Sequence, residues 1–206
     1  MRINKYLALN KYSTRRGADE LIKAGKVTIN GKKAKLGDQV SDADKVIVDR
    51  ATLLAISSKL VYYAYNKPVG VETHAVKIEN CFPIGRLDQV SNGLIILTND
   101  GRVTDRLHNP QYEHEKQNVV TLNKEMKQNF LTRMAKGVKI EDGITKPAEV
   151  IETGAKSFRI ILTEGKKHQI RRMVTALGYE VTELERVRIM NITLSHLKEG
   201  QHRKLA

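Results

Sequence analysis

The chain has 206 residues, 40% of them hydrophobic and 29% charged, which describes a folded globular protein of one large domain, or of a small and a medium one, and excludes a disordered chain. Lys and Arg outnumber Asp and Glu by 36 to 23, a net charge of +13 with a pI near 9.8, and such an excess asks for an anionic partner: RNA, DNA or an anionic membrane surface. No apolar run approaches the roughly 20 residues that span a bilayer, the start MRINKYLALNKYS is no signal peptide, the single Cys81 excludes an internal disulfide framework, and six scattered histidines show no metal-ligand spacing; a cytoplasmic protein without metal or membrane association is expected.

The charge is concentrated at the start. Residues 1–40 hold ten Lys and Arg against three acids, a net of +7. Within them Ile3, Tyr6 and Leu7 form one apolar helical stripe and Ala18, Leu21 and Ile22 a second. Ser13 or Thr14 is a natural N-cap for the second helix and Gly25 a natural stop. Lys26-Val27-Thr28-Ile29 alternates as a strand, and Asn30-Gly31 supplies a hairpin turn. The unit is helix, turn, helix, hairpin, with Arg2, Lys5, Arg15, Arg16, Lys23, Lys26, Lys32 and Lys33 on its exposed faces. Each such residue alone is most often merely solvated; two helices and a hairpin carrying them together are less easily dismissed.

Residues 41–60 read as a strand end and a linker. Beyond them, strands are expected at VYYAYN (61–66), LIILT (94–98), NVVTL (118–122), EVIET, SFRIILT and, last, VRIMNITL. Helices are expected from Lys124 to Lys136, ended by Gly137, and over KHQIRRMVTAL, closed by Gly178. Mixing without a regular βα repeat implies an α+β fold with a mainly antiparallel mixed sheet flanked by helices. The expected organisation is a basic domain over 1–50, a linker over 51–60 and a larger domain over 61–206.

Two stretches could carry chemistry. Phe82-Pro83-Ile84-Gly85-Arg86-Leu87-Asp88 leads into GLIILTNDG (93–101), and Glu164-Gly165-Lys166-Lys167-His168-Gln169-Ile170-Arg171-Arg172-Met173 turns into a helix. By spacing alone Asp88 is a turn or cap former and the second stretch another phosphate-contacting patch.

Residues 2–40, RINKYLALNKYSTRRGADELIKAGKVTINGKKAKLGDQV, resemble the S4 (αL-type) RNA-binding module almost end to end. GRLD followed by GLIILTNDG, with EGKKHQIRRM about 80 residues further on, resembles the RsuA/RluB/RluF family of bacterial pseudouridine synthases. KPVGV (67–71) is similar to that family's opening strand-turn, and LERVRIMNITL (184–194) to the subgroup acting on large-subunit ribosomal RNA. The resemblance implies an RNA uridine isomerase that needs no cofactor and works as a monomer on RNA, ribosomal or transfer. It implies Asp88 as the residue that attacks the ribose or base or assists glycal formation, with Arg171 as the cation that holds and orients it. Arg86, Asn118 and Ile170 would face the extruded base, and Arg2, Lys5, Arg15, Arg16, Lys23, Lys26 and Lys32 would contact RNA. It also implies a tyrosine in a strand reading HEK-x-Tyr-x-V. Here the strand is His114-Glu115-Lys116-Gln117-Asn118-Val119-Val120, and Asn118 occupies the tyrosine's place. An amide cannot stack as a ring does, a contact worth about 1–3 kcal/mol per base, and it has no ionisable proton near neutral pH. Tyr112 and Tyr63 are the rings that could substitute. The departure keeps a second expectation open: a weak or silent relative that binds RNA in ribosome assembly or as a chaperone.

Overall fold

In a computed structural model of the protein, residues 1–10, 12–49, 60–78, 81–101, 103–104, 107 and 113–205 are described. The chain divides into two compact units: Met1–Tyr62 with Thr98–Arg106, and Tyr63–Leu97 with Leu107–Ala206. The expected linker over 51–60 falls outside the described residues except for Leu60.

In the first unit, α1 (Ile3–Leu9) and α2 (Arg15–Lys23) pack on a three-stranded sheet of β1 (Val27–Ile29), β2 (Lys32–Lys33) and β3 (Val46–Val48), in the order β2-β1-β3. The two apolar stripes form its core, with Ile3, Leu7, Ala18 and Ile22 buried against Val27, Val40 and Val48. Thr14 is the N-cap of α2, its Oγ1 accepting the Gly17 N–H at 3.0 Å. Asn30 and Gly31 both take positive φ, 50° and 80°, the left-handed pair that a two-residue hairpin turn requires.

The second unit is built on a nine-stranded sheet with the main order β10-β11-β7-β12-β6-β4-β14. Its strands are β4 (Tyr62–Lys67), β5 (Phe82–Ile84), β6 (Asn92–Thr98), β7 (Lys116–Leu122), β10 (Glu149–Gly154), β11 (Ser157–Leu162), β12 (Val181–Ile189), β13 (Ile192–Thr193) and β14 (His202–Lys204); β8 (Lys139–Ile140) and β9 (Gly143–Ile144) form a separate hairpin. The pairs β10–β11, β11–β7 and β7–β12 are antiparallel, whereas β12 runs parallel to β6. Helices α3 (Phe130–Lys136) and α4 (Gln169–Ala176) flank the sheet. Phe130 and Met134 from α3 and Met173 and Val174 from α4 are buried with Val120, Leu122, Phe158 and Ile160 of the strands. Edge-to-face contacts of Phe130 with Phe158 (5.4 Å) and Tyr179 (4.6 Å) run through this core.

Two expectations need correction. The helix predicted over 124–136 begins only at Phe130, because the amides before it are engaged elsewhere. Met126 N–H donates to the Ala155 carbonyl, and Lys127 N–H to the Tyr179 hydroxyl at 3.0 Å. The predicted strand VRIMNITL is not one strand: β12 starts earlier, at Val181, and the chain reverses at Met190 (φ 51°) so that Ile192 pairs back on Ile189.

Candidate functional site

Asp88 follows β5 in a loop fastened on both sides. Upstream, Gly85 takes a φ of 75°, a turn that a side chain would strain. Thr73, buried in the short 3-10 turn Thr73–Ala75, donates its hydroxyl to the Leu87 carbonyl (2.8 Å) and accepts the Leu87 N–H (3.0 Å). Gln89 and Gly70 exchange two further hydrogen bonds. The segment 70–73 thus holds the middle of the loop. It is itself fixed by Lys67, fully buried, whose Nζ donates to the carbonyls of Pro68 and Val71.

Arg171, in the first turn of α4, holds the downstream side. Its guanidinium donates to the Val90 carbonyl, to Ser91 Oγ (3.1 Å each) and to the Val181 carbonyl (3.2 Å). The expected ion pair between Arg171 and Asp88 does not form among the described residues. Arg171 reaches the backbone two residues past the carboxylate and the Ser91 hydroxyl three residues past it, and ties the loop to α4 and β12. The basic side chain within 4.0 Å of the Asp88 carboxylate, among the described residues, is His168, with Nε2 3.6 Å from Oδ1.

Asp88 lines a cleft of about 600 Å³ together with Arg86, Asn118, His168, Ile170 and Arg186, a size that suits a small-molecule or base-sized guest. Arg186 is only 6% exposed. Its Nε donates to the Leu94 carbonyl (2.8 Å) and Nη1 to the Arg86 carbonyl (3.4 Å), while Nη2 is buried with no hydrogen-bond partner among the described residues. Burial pulls its pKa down to about 10, and the negative charge of Asp88 opposes that fall. Lys67 is lowered by burial and supported by Asp88 in the same way. Lys116, two residues before Asn118 on β7 and also in the cleft wall, is pushed down by burial and by Arg186. Two buried cations, Arg186 and Lys67, therefore interact with the Asp88 carboxylate, with Lys116 adding a further positive charge to the cleft wall, an arrangement suited to an anionic or carbonyl-rich guest.

Of the residues singled out by sequence, the cleft gathers Asp88, Arg86, Asn118 and Ile170. Asn118 is 5% exposed, and its Nδ2 donates to the Lys116 carbonyl at 3.3 Å. No tyrosine lines the cleft among the described residues. Tyr63 lies on β4 with its ring edge-on to His202, so it does not replace a ring at 118, and Tyr112 lies outside the described residues. Arg186, Lys67 and Lys116 escaped the sequence reading. The signal for Arg186 was a basic residue two positions after Leu184, on the inward face of an alternating strand.

In the first unit Arg2, Lys5, Arg15, Arg16, Lys23, Lys26 and Lys32 are all exposed. Lys23 pairs with Glu20 and Lys26 with Asp49; the other five make no ion pair within 4.0 Å among the described residues. Among the described residues no helix is long and apolar enough to cross a membrane.

Residues 61–176 match the RNA pseudouridylate synthase family and residues 1–46 the S4 domain. The chain belongs to the RNA pseudouridylate synthase family. It is 41% identical to the dual-specificity RNA pseudouridine synthase RluF of Salmonella typhi, over 99% of this chain and 75% of that protein. With ribosomal large subunit pseudouridine synthase B of Bacillus subtilis it shares 34% identity, over 99% of this chain and 91% of the relative. A crystal structure of a pseudouridylate synthase superposes on it with a TM-score of 0.73 at 28% identity, covering 100% of this chain and 96% of that one.

Proposed function

We propose that the protein isomerises uridine to pseudouridine in RNA, with ribosomal RNA of the large subunit as substrate and Asp88 as the catalytic residue. The observation that carries the reading is the Asp88 carboxylate set in a base-sized cleft beside the buried, partly unpartnered guanidinium of Arg186. A base turned out of the RNA stack fits the volume, and its carbonyl oxygens are acceptors for the Arg186 Nη2 donor. Asp88 then faces the ribose or base as nucleophile or base. Arg171 acts by positioning: it fixes the Val90 carbonyl and the Ser91 hydroxyl rather than the carboxylate itself. The Asn118 amide meets the base edge by hydrogen bonding, Ile170 gives an apolar wall, and Arg86 contacts the backbone beside the vacated stack.

The substrate class is supported by the name of the Bacillus subtilis relative and by the five exposed, unpaired cations of the first unit, which suit an RNA surface read through its phosphates and shape. The test is pseudouridine mapping of ribosomal and transfer RNA incubated with wild-type protein and with Asp88→Asn, which keeps shape and removes charge. Wild type is expected to introduce pseudouridine at discrete positions of large-subunit RNA. Asp88→Asn is expected to introduce none while binding the same RNA equally well; an active Asp88→Asn protein defeats the assignment.

A further inference from the structure

We infer that His168 is a second catalytic residue, the acceptor of the proton that leaves C5 of the base. The inference rests on the isomerase reading above. Isomerisation breaks the C1′–N1 bond and forms a C1′–C5 bond. C5 then carries both the ribose and its original hydrogen, while N1 keeps the electron pair of the broken bond. The C5 hydrogen must depart as a proton and N1 must gain one; nothing is oxidised or reduced, and no co-reactant is needed. The cleft must therefore contain a group with a lone pair available near neutral pH, within reach of a base that lies against Asp88.

Asn118 offers an amide, which takes no proton there. Lys116 is engaged as a donor to the His114 carbonyl. Of the other imidazoles in the wall, His74 is turned to Glu72 at 3.0 Å and is largely solvated, and His114 makes no pair with Asp88 within 4.0 Å among the described residues. His168 stands 3.6 Å from Asp88. Once its Nε2 has taken the C5 proton, the imidazolium is stabilised by the carboxylate beside it, and it passes the proton on to water as N1 is protonated.

The backbone around His168 indicates that this placement is built. His168 sits in the left-handed region, φ 52° and ψ 29°, immediately before α4, yet its side chain caps nothing. Such strain in a residue other than glycine persists only where surrounding contacts enforce it. Here the enforcing contact is the buried Gln169, whose Oε1 accepts the Lys166 N–H (3.0 Å) while its Nε2 donates to Glu164 (2.6 Å). The turn is clamped on both sides of the strained residue, and what the strain delivers is an imidazole at the carboxylate.

The experiment follows tritium release from a large-subunit ribosomal RNA transcript labelled at uridine C5, under single-turnover conditions, with a second transcript deuterated at C5. Replacing His168 by Gln is expected to slow release by about 10²–10⁴-fold and to make C5–H cleavage limiting, so that deuteration slows the variant more than wild type. His168→Gly relaxes the left-handed backbone and so folds; added imidazole is expected to restore part of its rate. Transcript binding should be unchanged in both. Wild-type release by His168→Gln, or slow release with neither an isotope effect nor imidazole rescue, overturns the assignment while leaving the isomerase intact. A wild-type protein that releases no tritium from the transcript or from total cellular RNA overturns the isomerase reading and this inference with it.

Discussion

At the scale of the residue, Arg186 is the costliest side chain in the cleft. It is a buried cation with one nitrogen unsatisfied, and replacing such an ion by an apolar side chain of similar volume is commonly neutral or stabilising, by up to about 4 kcal/mol. Arg186→Met is therefore expected to match or exceed wild type in thermal unfolding at neutral pH while losing most isomerase activity. The pH dependence has a defined sign. The folded-state pKa, about 10, lies below the ordinary arginine value, so the folded state holds its proton less tightly than the unfolded one. The cost of the buried charge is present in full at neutral pH and is relieved as pH rises through 10. The stability advantage of Arg186→Met should shrink in that direction; equal advantage at all pH values would mean that charge burial is not its origin. The loop that places Asp88 in the cleft was legible in the sequence because GRLD and GLIILTNDG together match a family pattern. The partner of Asp88 was not, because sequence order puts Arg171 at the right end of a helix but does not say which atoms its guanidinium reaches.

At the scale of the element, the join between β6 and β12 sets the cleft floor. A Cβ at Gly93 would lie 2.4 Å from the Arg186 carbonyl and 2.6 Å from its nitrogen, and Gly93 has a φ of 107°. Both strands would have to part. Gly93→Ala is expected to cost at least about 1–3 kcal/mol from overpacking, with added backbone strain, and to depress activity by displacing Arg186. Denaturant unfolding and tritium release measured together check this; a variant with wild-type stability would show that the strands accommodate the Cβ and would overturn the prediction. Strands were the more legible elements, since β7 and β11 alternate buried and half-buried residues in step with their sequence pattern. The first half of the helix expected from Lys124 was lost to partners far along the chain, Ala155 and Tyr179, which no local periodicity records.

At the scale of the whole molecule, the charge separates into two kinds of work. The Met1–Val48 segment presents Arg2, Lys5, Arg15, Arg16 and Lys32 exposed and, among the described residues, without an ion pair within 4.0 Å, and the Tyr63–Leu97 with Leu107–Ala206 unit buries two of its cations, Lys67 and Arg186, near the Asp88 carboxylate. RNA affinity should fall steeply with salt, and the slope of log affinity against log salt should shrink by about one for each phosphate contact removed. Arg15→Ala with Arg16→Ala is expected to lower that slope by about two and to weaken ribosomal and unrelated RNA alike, read from binding isotherms across a salt series. An unchanged slope would take α2 off the RNA surface. The first half of this division was legible from composition, because the clustering of charge in residues 1–40 survives any choice of fold; the buried cations of the second unit were not, because burial depends on the fold.

The loop bearing Asp88 is anchored before the carboxylate by Thr73 and after it by Arg171, through hydrogen bonds of 2.8–3.1 Å. A span pinned at both ends is stiff, and stiffness decides which partner deforms when two surfaces meet. On the proposed role of Asp88, the compliance lies with the nucleic acid: the uridine would have to leave its stack and swing to a fixed carboxylate, at an unstacking cost of a few kcal/mol. Targets already strained out of helical geometry, at bulges and loop tips, would start part-way along that path, and uridines would be selected by how readily each is turned out.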